Sequence, residues 1–218
     1  MSALHLRGVI FDLDGVLVDS EPHLAVAAVE LFAEKGETVN ADDFKPFIGM
    51  GEDRYIGGVA ENRGIQLDAA RDKARLYEIY ARVIRGRLRP LPGAVEFAMT
   101  CKDRGLPVAV ASGADRIKVL ASLEEVGMPG GLFTAIVDGN DVARKKPAPD
   151  IFLEACRRIG LPARECLVVE DAVSGVAAAK AAGARCLGIT TSFDATQLAQ
   201  ADWTAPDLAL VPPDALAW

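Results

Sequence analysis

From residue 93 onward the chain alternates short β-rich runs with longer stretches whose apolar residues recur at helical spacing. That alternation is the pattern of a parallel sheet covered by helices. Strands are expected at Val9–Phe11, Pro107–Ala111, Phe133–Val137, Cys166–Val169 and Arg185–Ile189. The helical stretches between them end at Gly105, Gly127, Gly160 and Gly183, where glycine can take the left-handed cap conformation. The third of these helices opens behind Pro147 and Pro149, residues suited to a helix start and poor inside one.

The first strand is followed by about eighty residues before the pattern resumes, far more than a crossover needs. The intervening chain reads as helical. Leu24, Ala28, Leu31 and Phe32 share one face before Gly36, and Leu76, Ile79, Tyr80 and Val83 share another. The expected organisation is a core domain over residues 1–16 and 89–218, with a small α-helical domain inserted over 17–88. Two linkers, Gly15–Ser20 and Gly86–Gly93, would cross between them and form a candidate hinge.

Right-handed crossovers from a central first strand place strands two and three on one side and four and five on the other, an order of about 3-2-1-4-5. The order reverses between strands one and four. Ligands of open α/β sheets bind beyond the carboxyl ends of the strands at that reversal. Asp12, Asp14, Glu170 and Asp171 are selected on topology alone.

The 218 residues are half apolar and carry a formal charge of −7, so no positive field attracts nucleic acid or an anionic membrane. No apolar run is long enough to span a bilayer, and the first residues lack a signal-peptide pattern, so the cytoplasm is the expected compartment. Cys101, Cys156, Cys166 and Cys186 include no close pair and read as reduced thiols in a core. With two histidines in all, an enzyme built on this chain would run on carboxylates, hydroxyls or lysine.

Val9-Ile10-Phe11 runs into Asp12-Leu13-Asp14-Gly15, and Cys166-Leu167-Val168-Val169 runs into Glu170-Asp171. Like charges crowded at adjacent strand ends repel unless something positive lies among them. The cluster of hard oxygen donors suits Mg²⁺. Ser112-Gly113 ends the second strand with a hydroxyl and backbone N–H groups able to hold an anionic oxygen. Arg144-Lys145-Lys146-Pro147-Ala148-Pro149-Asp150 follows the third and can present a lysine to carboxylates and a phosphoryl group together.

In this order and at these strand ends, the residues resemble the four motifs of the haloacid dehalogenase superfamily: Asp12-Leu13-Asp14-Gly15, Ser112, Lys146 and Glu170-Asp171. The insertion resembles the helical cap of the branch containing β-phosphoglucomutases and phosphoglycolate phosphatases, for which Asp19-Ser20-Glu21-Pro22 is also typical. The resemblance implies a Rossmann-like α/β core and Asp12 as nucleophile, forming an aspartyl phosphate. It implies Asp14 as general acid and then general base, and Ser112, Gly113 and Lys146 as phosphate contacts. Mg²⁺ would be held by a carboxylate oxygen of Asp12, the backbone carbonyl of Asp14 and a carboxylate of Asp171, with Glu170 acting through water or a secondary contact. The implied partner is a small phosphomonoester, with the chain a monomer or weak dimer.

Substrate choice in that branch falls to cap residues, here Phe47 to Arg54. The mutases of the branch place a phosphate-gripping arginine where this chain has Glu52. Arg54 either substitutes for it or pairs with Glu52 or Asp53. The run Arg82, Arg85, Arg87 and Arg89 reads as a basic helix terminus. His23 either touches substrate or faces water, Gly57-Gly58 marks a packing point or a helix break, and Ser20 is the expected N-cap of the first cap helix. The leading expectation is a Mg²⁺-dependent phosphatase acting on a sugar phosphate or phosphoglycolate-like compound. The rivals are a β-phosphoglucomutase-type phosphomutase and a non-catalytic binding module.

Overall fold

The computed structural model describes residues 5–48 and 51–218. In chain order its elements are β1 (Gly8–Phe11), α1 (Glu21–Glu34), α2 (Glu52–Arg63), α3 (Ala69–Val83), α4 (Ala94–Asp103), β2 (Val108–Ala111), α5 (Arg116–Glu125), β3 (Ala135–Val137), α6 (Asp150–Ile159), β4 (Cys166–Glu170), α7 (Val173–Ala182), β5 (Arg185–Ile189) and β6 (Trp203–Ala205). The strands form one parallel sheet in the order β3-β2-β1-β4-β5-β6. The five expected strands keep their expected order, and a sixth extends the far edge.

β6 carries little sequence signal because it is three residues long and follows a polar, turn-rich stretch. Tertiary partners make it a strand. Leu187 pairs with Trp203 and Ile189 with Ala205, while the Arg185 guanidinium lies 5.6 Å from the Trp203 ring and 4.1 Å from that of Trp218. Trp203 Nε1 donates to Asp214 at 2.9 Å.

The sheet is stiff where the site will sit. All four residues of β1, all four of β2 and all five of β4 are buried, as central strands covered on both faces must be. Ile10, Ala109 and Val168 contribute to one continuous core with Phe152 of α6 and Val176, Ala178 and Ala179 of α7. Small alanines on α7 let that helix approach the strands closely.

The chain divides into two compact units, one running to Asp19 and resuming from Arg89 to Trp218, the other Ser20–Leu88. The first crossing falls after Asp19 because Val16–Val18 are tied to the sheet unit. Gly15 N donates to Val18 O at 2.8 Å, Leu91 N donates to Leu17 O at 2.9 Å, and Val18 bridges Pro90.

The Ser20–Leu88 unit is helical. α1 packs against α3, and a 3-10 helix at Ala41–Phe47 packs against α2. Phe44 stacks on Tyr55 at 4.9 Å and meets Phe32 edge-on at 5.8 Å. Gly57 and Gly58 do not break a helix. They lie inside α2, and a Cβ on Gly58 would fall 2.3 Å from the Phe47 ring, so this glycine is a packing point. Ser20 occupies the N-cap position of α1 but makes no side-chain cap bond, its backbone being already helical. Arg82 pairs with Glu30 of α1. Gly49 and Met50, within the stretch expected to govern substrate choice, lie outside the described residues. Among the described residues no helix is long and apolar enough to cross a membrane.

Ile10 is fully buried at the centre of the sheet. Ile10→Ala is expected to lower stability by about 2–5 kcal/mol through lost transfer energy and an unfilled cavity, measured by urea denaturation.

Candidate active site

The registers of β1 place Phe11 beside Val110 of β2 and Val169 of β4, so Asp12, Ser112, Glu170 and Asp171 leave neighbouring strands at the same end of the sheet. Asp12, Glu170 and Asp171 are all buried, with carboxylate oxygens within 4.8 Å of one another. Lys146 binds this group together. Its Nζ lies 2.5 Å from Asp12 Oδ1 and also donates to Glu170 Oε1, while its charge sits 5.1 Å from the buried Phe152 ring. The neighbouring basic residues go elsewhere: Arg144 grips Asp150 and Lys145 donates to the Gly139 carbonyl. Of the three consecutive cations, Lys146 alone pairs with these carboxylates.

Glu170 is held on both oxygens. Besides the Lys146 contact at Oε1, its Oε2 accepts from the backbone N–H groups of Asp171 and Ala172 at 3.0 Å, where α7 begins. A carboxylate is stabilised at the positive end of a helix. Gly175 permits this approach, because a Cβ there would fall 1.9 Å from Glu170 Oε1.

Asp171 is fixed by neighbours that the sequence pattern did not single out. Ser192, in the turn after β5, donates to its Oδ2, and Thr191 donates to the Gly15 carbonyl at 2.5 Å. Gly15, with φ +76°, passes so near that a Cβ would lie 1.9 Å from Asp171 Oδ2. Both the positive φ and the close approach require glycine at this turn. A glycine after two strand-end aspartates is a visible signal, whereas a Thr-Ser pair in a polar turn is not.

The two carboxylates of the first motif part company. Asp12 joins the buried group, whereas Asp14 is 24% exposed at its side chain and accepts at Oδ2 from Lys118 Nζ at 2.8 Å. Lys118, three residues into α5 and 2% exposed, carries the second positive charge of the site and was not among the expected site residues. Ser112 is buried, and its Oγ accepts from Ala114 N at 3.1 Å. A Cβ at Gly113 would meet nothing within 4 Å, leaving open space beside its backbone.

The residues expected to select substrate belong to the helical unit. Arg54 pairs with neither Glu52 nor Asp53. Its guanidinium bonds Glu61 at 2.6 Å and lies 5.2 Å from the Phe47 ring, while Asp53 pairs with Lys73 at 3.0 Å. Glu61 lies two helical turns along α2 and so shares a face with Arg54. Glu52 is buried in the first turn of α2, and His23 has a buried Nδ1 without a hydrogen-bond partner in the first turn of α1.

Electrostatics explain what the cluster lacks. Burial is the main force raising Asp12 to about 7, reinforced by Glu170 and Asp14 and opposed by Lys146. Burial also pushes Asp171 well above the usual carboxylate range, with Glu170 and Asp12 adding to it. For Lys146 burial would favour the neutral amine, but Asp12 and Glu170 outweigh it and hold the ammonium charged. With all three ionised, one ammonium among the buried carboxylates would leave excess negative charge, and the raised proton affinities of Asp12 and Asp171 express it. An all-oxygen donor set with that excess fits a hard divalent cation.

A model of the haloacid dehalogenase-like hydrolases matches residues 6–183. The chloroplastic protein Suppressor of Quenching 1 of Arabidopsis thaliana is 46% identical over 196 residues, which cover 86% of this chain but only 18% of that much longer protein. A phosphoglycolate phosphatase of Neisseria gonorrhoeae is 31% identical across 93% of this chain and 88% of its own. The crystal structure of CbbY from Rhodobacter sphaeroides in complex with phosphate superposes with a TM-score of 0.86 at 26% identity, covering 98% of this chain and 100% of that one.

Between pH 3.8 and about 7 the folded protein holds a proton on Asp12 that the unfolded chain has released. Stability from this group is therefore present below the lower value and lost as pH rises through the upper one, and Asp171 acts in the same direction. Urea denaturation in chelator is expected to show wild-type stability falling between pH 5 and 8. Asp12→Asn should lessen that fall, leaving the part due to Asp171, and be the more stable protein at pH 8 by on the order of 2 kcal/mol.

Proposed function

The chain belongs to the haloacid dehalogenase-like hydrolases, and we propose that within them it is a Mg²⁺-dependent phosphatase of a small phosphorylated metabolite, acting through a phosphorylated Asp12. The observation that carries this reading is the buried trio of Asp12, Glu170 and Asp171 bound to Lys146, with Asp14 set apart from it on a different cation.

In the first step an Asp12 carboxylate oxygen attacks phosphorus and the bond to the leaving oxygen breaks, with Asp14 giving that oxygen a proton. In the second step a water oxygen attacks the same phosphorus and Asp14 takes its proton. The bond to Asp12 breaks, freeing inorganic phosphate and restoring both carboxyl groups. Lys146 balances the charge of Asp12 and the phosphoryl group, while the Ser112 hydroxyl and the open backbone at Gly113 receive phosphoryl oxygens. Asp12, Asp171 and the Asp14 carbonyl would hold Mg²⁺, which would supply the positive charge that the buried carboxylates call for.

The substrate we favour is a sugar phosphate or a phosphoglycolate-like compound, with the Ser20–Leu88 unit acting as a cap that excludes bulky phosphoesters. Glu52, His23 and Arg54 are its candidate substrate residues. A carboxylate at Glu52, where the mutases of the branch carry an arginine, favours hydrolysis over isomerisation of a bisphosphate. The four cysteines are buried free thiols, which suits the reducing cytoplasm.

Phosphate release from p-nitrophenyl phosphate tests the reading. Wild type with Mg²⁺ should turn over, chelation should abolish turnover, and Asp12→Asn should lose about a thousandfold or more in kcat. Equal rates for wild type and Asp12→Asn would leave a non-catalytic binding module, and isomerised hexose phosphate formed only with a bisphosphate primer would establish the mutase. Calorimetric Mg²⁺ titration should show Ser192→Ala binding about tenfold or more weakly than wild type, since the variant frees Asp171 Oδ2.

A further inference from the structure

Lys118 occupies a position that local physics opposes. It lies in the first turn of α5, where the helix dipole disfavours a cation, and its side chain is 2% exposed, where an ammonium loses its hydration. Such a charge persists only beside an anion, and here Asp14, 104 residues away in sequence, supplies one at 2.8 Å. As a strut for the fold the pair is a poor choice, because well-packed apolar side chains of similar volume are often at least as stable as a buried ion pair.

The arrangement has a use at Asp14. Asp12 and Asp14 lie two residues apart and repel each other when charged. Asp14 is the more exposed of the two at its side chain, 24% against 10%, and a swing of its carboxylate toward solvent would relieve that repulsion. A rigid cation beneath it opposes that swing by holding Oδ2. The site then contains two cation–carboxylate pairs with separate duties: Lys146 on Asp12 and Lys118 on Asp14.

We propose that Lys118 is a positioning residue for the acid–base step, holding one oxygen of Asp14 so that the other is presented to the leaving group and then to the attacking water. The inference rests on the phosphatase reading above. Lys118 touches no reacting atom in this scheme and acts through Asp14.

Two aryl phosphates separate this role from a structural one. At neutral pH p-nitrophenolate departs without a proton, whereas the phenolate of phenyl phosphate benefits from one. Lys118→Met keeps the length and removes the charge. It should raise the ratio of kcat/KM for p-nitrophenyl phosphate over phenyl phosphate about tenfold or more, as Asp14→Asn should. The double variant should lose no more activity than Asp14→Asn, and Lys118→Arg should recover part of the loss. A rapid burst of p-nitrophenolate followed by slow turnover is expected of Lys118→Met, because water attack on phosphorylated Asp12 needs the same carboxylate.

If Lys118→Met slows both substrates equally, or its loss multiplies with that of Asp14→Asn, the proposal is overturned. Lys118→Gln carries the same comparison should the methionine variant fail to fold. Equal background rates for wild type and Asp12→Asn would instead remove the phosphatase reading itself.

Discussion

Like charge crowded into a buried place is the constraint around which this molecule is arranged. Two adjacent parallel strands end in carboxylates, and the buried Asp12, Glu170 and Asp171 bring oxygens within 4.8 Å of one another. Burial makes each negative charge expensive and proximity makes each raise the others. Lys146, the N-terminus of α7 beneath Glu170 and the Ser192 hydroxyl on Asp171 all answer that demand. Together they fall short of balancing three ionised carboxylates, and that shortfall suits the site to a divalent cation.

The sheet makes the crowding sustainable. β1, β2 and β4 are buried along their lengths, so their ends are set by packing on both faces and cannot spread apart to relieve repulsion. Close backbone approaches add to this rigidity, for Gly15 and Gly175 leave no room for a side chain beside Asp171 and Glu170. Hydrophobic burial supplies the stability, and the charged end of the sheet draws on it. Function and stability are therefore opposed at Asp12, whose raised proton affinity records the strain of holding a carboxylate there.

Much of this was legible along the chain because strand ends announce themselves. An apolar run that stops at Asp12 or Glu170 fixes both a strand and the residue at its carboxyl end, and the crossover rule then makes those ends neighbours. Lys146 was legible through the prolines that follow it. Lys118 was not, because a lysine in a helical stretch reads as a solvated residue until a fold buries it against Asp14. Ser192 was hidden for a similar reason, since a serine in a polar turn is the commonest of turn residues. Arg54 shows the limit of adjacency: Asp53 beside it went to Lys73, and Glu61, two turns along the helix, took the guanidinium.

The sequence by itself determined the parallel order of the first five strands, the helical insertion after β1 and the identity of the carboxylates at the reversal, because periodicity, glycine caps and crossover handedness act locally or between neighbouring elements. Only the tertiary structure decided which cation meets which carboxylate, that β6 completes the sheet, and that Asp12 and Asp14 take different partners. Those outcomes depend on distances between groups as many as 134 residues apart, between Lys146 and Asp12, and on burial, which turns an ordinary ionisable side chain into one whose charge must be matched.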